Sequence, residues 1–291
     1  MAEVNKMKVR NVKFDFHEIE ETHYINNNIF ATHFTNALHV LFPEGEKFFI
    51  KSIKPFYDEI KSSELKEQAR DFMAQEAIHH REHERFWNQL EEMGLKPRKF
   101  AQVFKKSADA IERFFYFILP KCSAEKMALS MTTGMEHYTA LFGNQGLGNS
   151  DFLEPLYPKE MFMLLQWHAA EELEHKSVAF DVYKAVGGTY AMRIWGMIFA
   201  SILFYTFAFG GMIYFIFQDK SKNLRNLPQK FWDFVVNFSA KPQGSAGWML
   251  LLDYFRPSFH PDDHDNYHLA EEFFAKYRDY FESTQINLKA S

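Results

Sequence analysis

A segment near the middle of the chain places two imidazoles and a carboxylate on one helical face. His168, Glu172 and His175 are separated by steps of four and three residues, and such steps return a side chain to nearly the same side of an α-helix. Two imidazoles and one carboxylate suit a first-row transition metal. One such cluster also occurs on solvated helical faces, so a second cluster is needed to indicate a metal site.

The second cluster lies upstream, where Glu76 and His79 form a Glu-x-x-His pair like that of Glu172 and His175. In one type of four-helix bundle that holds two metal ions, two helices each supply such a pair, and the other two each supply a single Glu. The bridging carboxylates bind both metals, while each imidazole binds one. The sequence therefore predicts a di-metal site with one ligand set on each of four helices.

The two single carboxylates are predicted to be Glu46 and Glu136. Glu44 is the alternative to Glu46, which stands further inside its predicted helix among apolar neighbours. Glu112 is the alternative to Glu136, but it lies beside Arg113 in a mixed segment. Glu136 lies in an otherwise apolar helix, where a carboxylate is costly unless it is paired or binds a metal.

Two histidines extend this set. His168 lies four residues before Glu172 and is predicted to be a seventh ligand, with a role behind the ligands as the alternative. His83 follows His79 by one helical turn, and we predict either a supporting contact to the ligands or a catalytic base on the substrate side. Glu171 and Glu174 point to other faces of their helix, where salt bridges or solvent contact are expected.

The elements that must position these residues are all predicted to be helices. Long segments carry helical spacing with few turn signals, and no segment shows sustained alternation. The helices are predicted at about residues 44–60, 62–93, 107–119, 123–142, 158–186 and 267–282, with a loop at 143–150. The fold class is therefore all-α, with a helical bundle over 1–190 and a C-terminal helical extension over 220–291.

The segment between these units, 191–219, is strongly apolar. Residues 194–218 carry no charge, and a helix of that length would cover roughly 37 Å, enough for a bilayer core. Gly210 and Gly211 allow a shallow membrane hairpin instead of a crossing. The alternative is a helix buried in the core or in a homodimer interface.

Composition narrows the class of protein. Apolar residues make up 47% of the chain, which excludes a disordered protein, and the net charge of −5 gives no basic surface for nucleic acid. The single cysteine, Cys122, fits a reducing compartment and is expected to be buried. No secretory signal is seen, so a cytoplasmic protein is expected, peripheral to or inserted in the inner membrane.

The polar segment 258–265, which contains His260 and His264, is predicted to be a loop, with a metal site as its alternative.

The order of these motifs resembles the ferritin-like di-iron carboxylate proteins. The pattern His168-x-x-x-Glu172-x-x-His175 also resembles the di-iron N-oxygenases that oxidise arylamines, which have a third histidine ligand. The strings around Glu76–His79 and His168–His175 resemble a bacterial family labelled "predicted metal-dependent hydrolase", and that likeness covers most of the chain. The first two resemblances imply a ferritin-like bundle with two iron ions.

The function expected from this site is oxidative. A reduced di-iron centre would activate O₂ and then oxygenate or desaturate a small or lipid-like substrate, with electrons from a donor such as a ferredoxin or a reductase. The alternative is hydrolysis of an ester or phosphate bond, since two metals about 3.5–4 Å apart also generate a hydroxide at neutral pH. Manganese or zinc are the alternative metals.

Overall fold

Helices form every regular element in the part of the chain that the structure, a computed structural model, describes: residues 7–221, 225–239 and 246–284. The all-α prediction is therefore confirmed. The α-helices are α1 (Ile29–Ile53), α2 (Ser63–Glu92), α3 (Pro97–Ile118), α4 (Lys121–Gly148), α5 (Ser150–Leu153), α6 (Lys159–His175), α7 (Val178–Ala185), α8 (Tyr190–Gln218), α9 (Leu227–Ser239), α10 (Ala246–Asp253), α11 (Tyr267–Lys276) and α12 (Arg278–Thr284). Short 3₁₀-helices span Lys54–Glu59, Glu154–Leu156 and Pro261–Asp263.

Helix α1 begins well before the predicted start near Glu44, and Pro43 lies inside it. Proline has no backbone N–H, so the carbonyl of the residue four positions earlier loses its helical partner. That residue is His39, and its carbonyl accepts a hydrogen bond from Nε1 of Trp87 on α2 at 2.8 Å. The tertiary contact replaces the missing helical bond and lets the helix continue to Glu46 and beyond.

Helix α4 also continues where a loop was predicted at 143–150, and it ends at Gly148. The glycines that suggested a loop allow α4 to approach α6. A Cβ atom on Gly143 would lie 2.7 Å from the carbonyl oxygen of Ala169. The carbonyl of Gly146 accepts a hydrogen bond from Gln166 of α6 at 3.2 Å. These small residues bring the helix of Glu136 close to the helix of Glu172.

Two other helix boundaries differ from the prediction. Helix α3 begins at Pro97 rather than near Ser107, with the proline in the first turn, where its missing N–H costs nothing. The predicted helix 158–186 is broken after His175, and α7 follows it. At the break, the buried Lys176 donates hydrogen bonds to the carbonyl of His264 and to Oδ1 of Asn266. The start of α2 after Ser62 and its end just before Gly94, which has φ +84°, agree with the sequence prediction.

The apolar segment forms one continuous helix, α8, so the alternative prediction of a hairpin at Gly210 and Gly211 is wrong. Instead, Gly211 allows α8 to pack on α1, because a Cβ atom there would lie 2.7 Å from Cβ of Ala37. Near the other end, a Cβ atom on Gly196 would lie 2.6 Å from the carbonyl carbon of Ser130 on α4. By length and composition alone, α8 is long and apolar enough to cross a membrane, which is weak evidence for a span.

The described C-terminal residues fold back on the bundle, and α11 contacts α6 and α4. The final predicted helix is two helices, α11 and α12, which meet at Tyr277. The segment 258–265 is a loop with a 3₁₀ turn, and its His260 binds Asp181 at 2.9 Å. Cys122 is exposed, which contradicts the expected burial. It lies at the start of α4, where the helix has not yet entered the core.

Candidate metal centre

The structure brings all seven predicted ligands together, one set on each of four helices. Each is buried, with at most 6% of its surface exposed. The set consists of Glu46 on α1, Glu76 and His79 on α2, Glu136 on α4, and His168, Glu172 and His175 on α6. Groups of three or four of these side chains offer ligand atoms within 4.8 Å of one another. Their ability to bind metal stays a prediction.

One group of ligand atoms surrounds the imidazole of His175. Its Nε2 atom lies 3.2 Å from Oε1 of Glu76, 3.5 Å from Oε2 of Glu136 and 3.3 Å from Oε2 of Glu172. Three carboxylates and one imidazole converge here from α2, α4 and α6. This separation suits atoms that share one small cation, because ligand–metal distances near 2.1 Å put neighbouring ligand atoms about 3 Å apart.

A second group surrounds His79 and His168. Nδ1 of His79 lies 3.6 Å from Oε1 of Glu172 and 3.9 Å from Oε2 of Glu76. Nε2 of His168 lies 2.7 Å from Oε1 of Glu172 and 3.9 Å from Oε1 of Glu46. Glu76 and Glu172 therefore belong to both groups, each presenting one oxygen to either side. This is the arrangement that two bridging carboxylates need.

The donor set fits two divalent cations. Buried polar groups normally have hydrogen-bond partners, yet several of these ligand atoms have none: both carboxylate oxygens of Glu46, Glu76 and Glu136, Oε2 of Glu172, Nδ1 of His79 and Nε2 of His175. The four carboxylates carry a total charge of −4 when ionised, and two divalent ions would neutralise it. Four ionised carboxylates buried beside the single imidazolium of His175 would otherwise be strongly destabilising.

The pKa values of two ligand carboxylates also indicate that the site lacks positive charge. Burial, followed by the neighbouring carboxylates Glu76 and Glu172, raises the pKa of Glu46 well above its ordinary value. Burial and then Glu172 likewise raise the pKa of Glu136. In the metal-free protein their protonated forms are therefore favoured, and a metal ion would have to displace those protons.

The pKa of Glu172, one of the two carboxylates shared by both groups, is shifted in the opposite direction. Burial alone would raise the pKa of Glu172, but the charge of His175 and the contact with His168 outweigh burial and hold it well below its ordinary value. Burial likewise opposes the protonated form of His175, but Glu172 and Glu136 raise its pKa well above the usual range. Burial and the neighbouring His168 lower the pKa of His79 to about 3, so His79 is neutral and ready to bind a metal.

Hydrogen bonds behind the ligands orient both imidazoles of the Glu-x-x-His pairs. Nε2 of His79 donates to Oε2 of Glu171 at 3.0 Å, which leaves Nδ1 facing the site. Nδ1 of His175 donates to Oε1 of Gln75 at 3.1 Å, which leaves Nε2 facing the site. Gln75 in turn donates to Oε2 of Glu174 at 3.1 Å. Such outer contacts fix ring orientation and tautomer in metal sites.

A single guanidinium holds both of these outer carboxylates. Arg10 binds Oε1 of Glu171 at 3.0 Å and Oε1 of Glu174 at 2.7 Å, and its side chain is only 9% exposed. The sequence prediction of salt bridges at Glu171 and Glu174 agrees with these contacts. Arg10 itself was not predicted, because it lies far away in the chain and no local pattern links it to the site.

His83 lies behind His168 in a chain of three histidines. In the tautomers that leave Nε2 of His168 free for a metal, its Nδ1 donates to Nε2 of His83 at 2.6 Å. Nδ1 of His83 then donates to Nδ1 of His39 at 2.7 Å, and Nε2 of His39 points at Sδ of Met161 at 3.0 Å. His83 is absent from the lining of the two cavities described below. His83 thus contacts His168 behind the ligands, and its role, as a supporting contact or as the substrate-side base, stays a prediction.

Two cavities reach the site from different sides. The first has about 960 Å³ of empty space, part of it open to solvent, and its walls are mostly apolar side chains of α1, α3, α4 and α8. The second has about 970 Å³ of empty space, also partly open to solvent, and lies between α1, α4, α5 and α6. Both are lined by Phe42, Thr139, His168 and Glu172. A substrate in either cavity would therefore meet the His168 side of the site.

The rejected candidates lie elsewhere. Glu44 and Glu112 line the wall of the first cavity, and they pair with Lys47 at 3.2 Å and with Lys51 at 2.6 Å. The sequence did not single out His39, although it lies seven residues, or two turns, before Glu46. The seven-residue spacing between His39 and Glu46 was the signal in the sequence that could have placed His39 near the site.

A second cluster of possible ligands is satisfied internally. His23, His33 and Asp219 are buried together near the end of α8. Both imidazoles contact Oδ2 of Asp219, at 2.6 Å and 3.2 Å, while its other oxygen accepts from Ser221. The cluster joins the N-terminal segment and α1 to the end of α8.

Comparisons with known proteins agree with the metal-binding character of the site. Curated proteins and solved structures yield no match to this chain. One family model, described as "predicted metal-dependent hydrolase", matches residues 8–265. This range contains every residue of the site described above, and the description agrees with the hydrolytic alternative without naming the metal. The chain therefore belongs to the family of predicted metal-dependent hydrolases.

Proposed function

We propose that the protein is an oxidoreductase that uses two iron ions and O₂ to oxygenate or desaturate an apolar substrate. The observation that carries this proposal is the set of buried carboxylate and imidazole atoms without hydrogen-bond partners at the end of an apolar cavity. Carboxylates and imidazoles bind iron as well as other first-row metals, and manganese and zinc are the alternatives. An external electron donor, such as a ferredoxin or a reductase, would return the iron to the ferrous state.

The lining of the first cavity supports an apolar substrate. Phe104, Ile111 and Phe115 of α3 face Leu203 and Phe204 of α8 across it. The lining contains no lysine or arginine, so it offers no cation to hold a phosphate. Its polar groups are the site residues, Thr139, and the paired carboxylates of Glu44 and Glu112. Apolar walls with a few polar groups at one end are typical of sites that orient an apolar molecule toward its reacting position.

The protein residues have separate tasks in this proposal. Bound iron would supply the electrons that activate O₂. Glu76 and Glu172 would hold the two ions at a fixed separation, since each offers oxygens to both groups. His79 and His175 would be held in their binding tautomers by Glu171 and Gln75. The phenylalanine-rich wall would limit the access of water to the reacting end of the substrate, and so limit side reactions.

Hydrolysis is the second candidate, and the family description favours it. Two zinc or manganese ions in the same ligands would lower the pKa of a bound water and cleave an ester or phosphate bond. The apolar cavity favours an ester with a long acyl chain over a phosphate. The two candidates share the ligands and differ in the metal, the need for O₂ and the source of the oxygen in the product.

Isotope labelling separates the two reactions. Protein loaded anaerobically with ferrous iron is mixed with O₂, a reductase system and a panel of fatty acids and fatty esters. We expect O₂ uptake that depends on reductant, with product that carries ¹⁸O from ¹⁸O₂ or a new double bond. Turnover of esters by the zinc or manganese form without O₂ uptake, with ¹⁸O taken from water, would instead establish hydrolysis. Loss of either activity in Glu136→Gln ties it to this site.

A further inference from the structure

A stripe of large apolar side chains runs exposed along α8. Trp195, Ile202, Phe209, Ile213 and Phe217 recur at spacings of seven, seven, four and four residues, so they share one face of the helix. They are substantially exposed, and Phe217 reaches 76%. The stripe extends over about 33 Å. Contiguous apolar surface of this length marks an interaction site.

A second exposed stripe lies on α3. Val103, Phe114 and Phe117 lie on one face of this helix, and Phe117 is 88% exposed. Its other apolar face, which includes Phe104 and Phe115, lines the cavity. Helix α3 thus presents one apolar face to the cavity and another to the outside.

Both stripes emerge on the same side of the molecule. Helices α3 and α8 run antiparallel, because Phe100 contacts Tyr214 while Phe115 contacts Phe199. On each helix the exposed stripe is rotated in the same sense, by about 80°, from the face that contacts the other helix. In an antiparallel pair, equal rotations of this kind place both stripes on one common surface, which we call the α3–α8 face.

A row of cations borders this face. Lys99, Lys106 and Arg113 are exposed and recur every seven residues on α3, beside the apolar stripe and away from α8. Within the part of the chain that the structure describes, no salt bridge joins any of the three to an acidic side chain. A helix with an apolar stripe beside lysines and arginines is typical of segments that lie in the surface of a membrane.

The row of cations indicates which partner fits the α3–α8 face. A symmetric contact between two copies would bring two such rows to one interface, where like charges disfavour association. An anionic bilayer attracts each cation and accepts the apolar stripes. The bundle also opposes a crossing helix: Gly196 packs on Ser130 and Gly211 on Ala37, so α8 lies along the bundle from end to end.

We propose that the α3–α8 face docks the protein on the surface of an anionic lipid bilayer, with α8 lying in the plane of the membrane. The inner faces of the same two helices line the cavity that reaches His168 and Glu172. An apolar chain would therefore pass from the bilayer to the site past α3 and α8. This last step rests on the proposed function, whereas the docking does not.

Vesicle sedimentation tests the docking with the full chain. Wild type is mixed with vesicles of phosphatidylcholine, with or without phosphatidylglycerol, and the metal content of each sample is measured separately. We expect binding to the anionic vesicles that weakens about tenfold or more for Phe117→Glu or Ile213→Glu. Phe152→Glu, an equally large change at an exposed phenylalanine of α5, should bind as wild type does.

The cation row has its own variant and control. Replacing Lys99, Lys106 and Arg113 together by alanine should weaken anionic-vesicle binding by about 100-fold. The same triple change at Lys13, Lys61 and Lys159, which are exposed outside α3 and α8, should weaken it far less. Equal binding of all variants would overturn the proposal. A lipid-free dimer that Phe117→Glu converts to a monomer, without vesicle binding by wild type, would also overturn it and assign the face to a second copy. Since sedimentation needs no turnover, failure of docking and failure of the proposed reaction are read separately.

Discussion

Replacing Arg10 by methionine is predicted to weaken both the fold and the metal site. The guanidinium of Arg10 binds Glu171, which orients His79, and Glu174, which binds Gln75 behind His175. Methionine preserves much of the side-chain volume and removes the charge and all donors. The variant would therefore leave two buried carboxyl groups without their cation.

The expected magnitude follows from this burial. The side chain of Arg10 is 9% exposed and that of Glu171 is fully buried, and breaking a buried ion pair costs about 3–5 kcal/mol. Burial already raises the pKa of Glu171 to about 7 against the opposing effect of Arg10. Without Arg10 this pKa rises further, so protonation limits the cost near neutral pH. Loss of the outer contacts should also lower metal affinity by about 10–100-fold.

Thermal unfolding of the metal-free protein and metal titration of the folded protein measure the two effects. We expect Arg10→Met to lower Tm by about 5 °C, because a cost of about 3 kcal/mol is divided by an unfolding entropy of about 0.6 kcal/mol/K for 291 residues. Arg70→Met is the control, because Arg70 is 60% exposed and pairs with Asp71 on the surface; it should change neither quantity appreciably. The double variant Arg10→Met with Glu171→Gln should recover part of the lost stability, because the amide needs no cation.

Two results would refute this reasoning. Wild-type metal affinity in Arg10→Met would show that Glu171 and Gln75 do not need the cation to orient the ligands. An equal loss of stability in Arg10→Met and in the double variant would show that the unpaired carboxylate is not the cause.

Two further predictions concern packing on α8 and the charge of the site. Gly196→Ala should destabilise by about 1–3 kcal/mol, because the new Cβ atom would lie 2.6 Å from backbone of Ser130. Gly210→Ala, which meets open space on the same helix, should stabilise by about 0.5–1 kcal/mol; thermal unfolding compares them, and equal effects would contradict the packing. The raised pKa values of Glu46 and Glu136 give the metal-free protein a contribution to stability that is present below pH 4.5, the ordinary pKa, and is lost as pH rises through the raised values. Metal binding must displace these protons, so calorimetry in two buffers of different ionisation enthalpy should show proton release and tighter binding at higher pH, and binding without proton release would refute the assignment.

Helical periodicity explains why the sequence located the candidate site. Spacings of three and four residues place side chains on one face whatever the helix packs against, so His79 and His175 were found with their neighbouring glutamates. Pro43 was misread as a helix start because its replacement hydrogen bond comes from Trp87, on another helix. Gly143 was misread as a loop residue because its packing partner is on α6. Arg10 was missed for the same reason: its contacts are set by the fold and leave no periodic mark.

Metal stoichiometry tests the central claim most directly. Protein purified without a metal-chelating tag and reconstituted with ferrous iron under anaerobic conditions is analysed for bound metal, together with Glu46→Gln, Glu136→Gln and their matched controls Glu44→Gln and Glu112→Gln. The site geometry predicts two ions per chain in wild type and both controls, because Glu44 and Glu112 pair with surface lysines. It predicts fewer than two ions in the other two variants, whose carboxylates are among the ligand atoms without hydrogen-bond partners. Two ions retained in Glu46→Gln and Glu136→Gln, or no bound metal in wild type, would contradict the account.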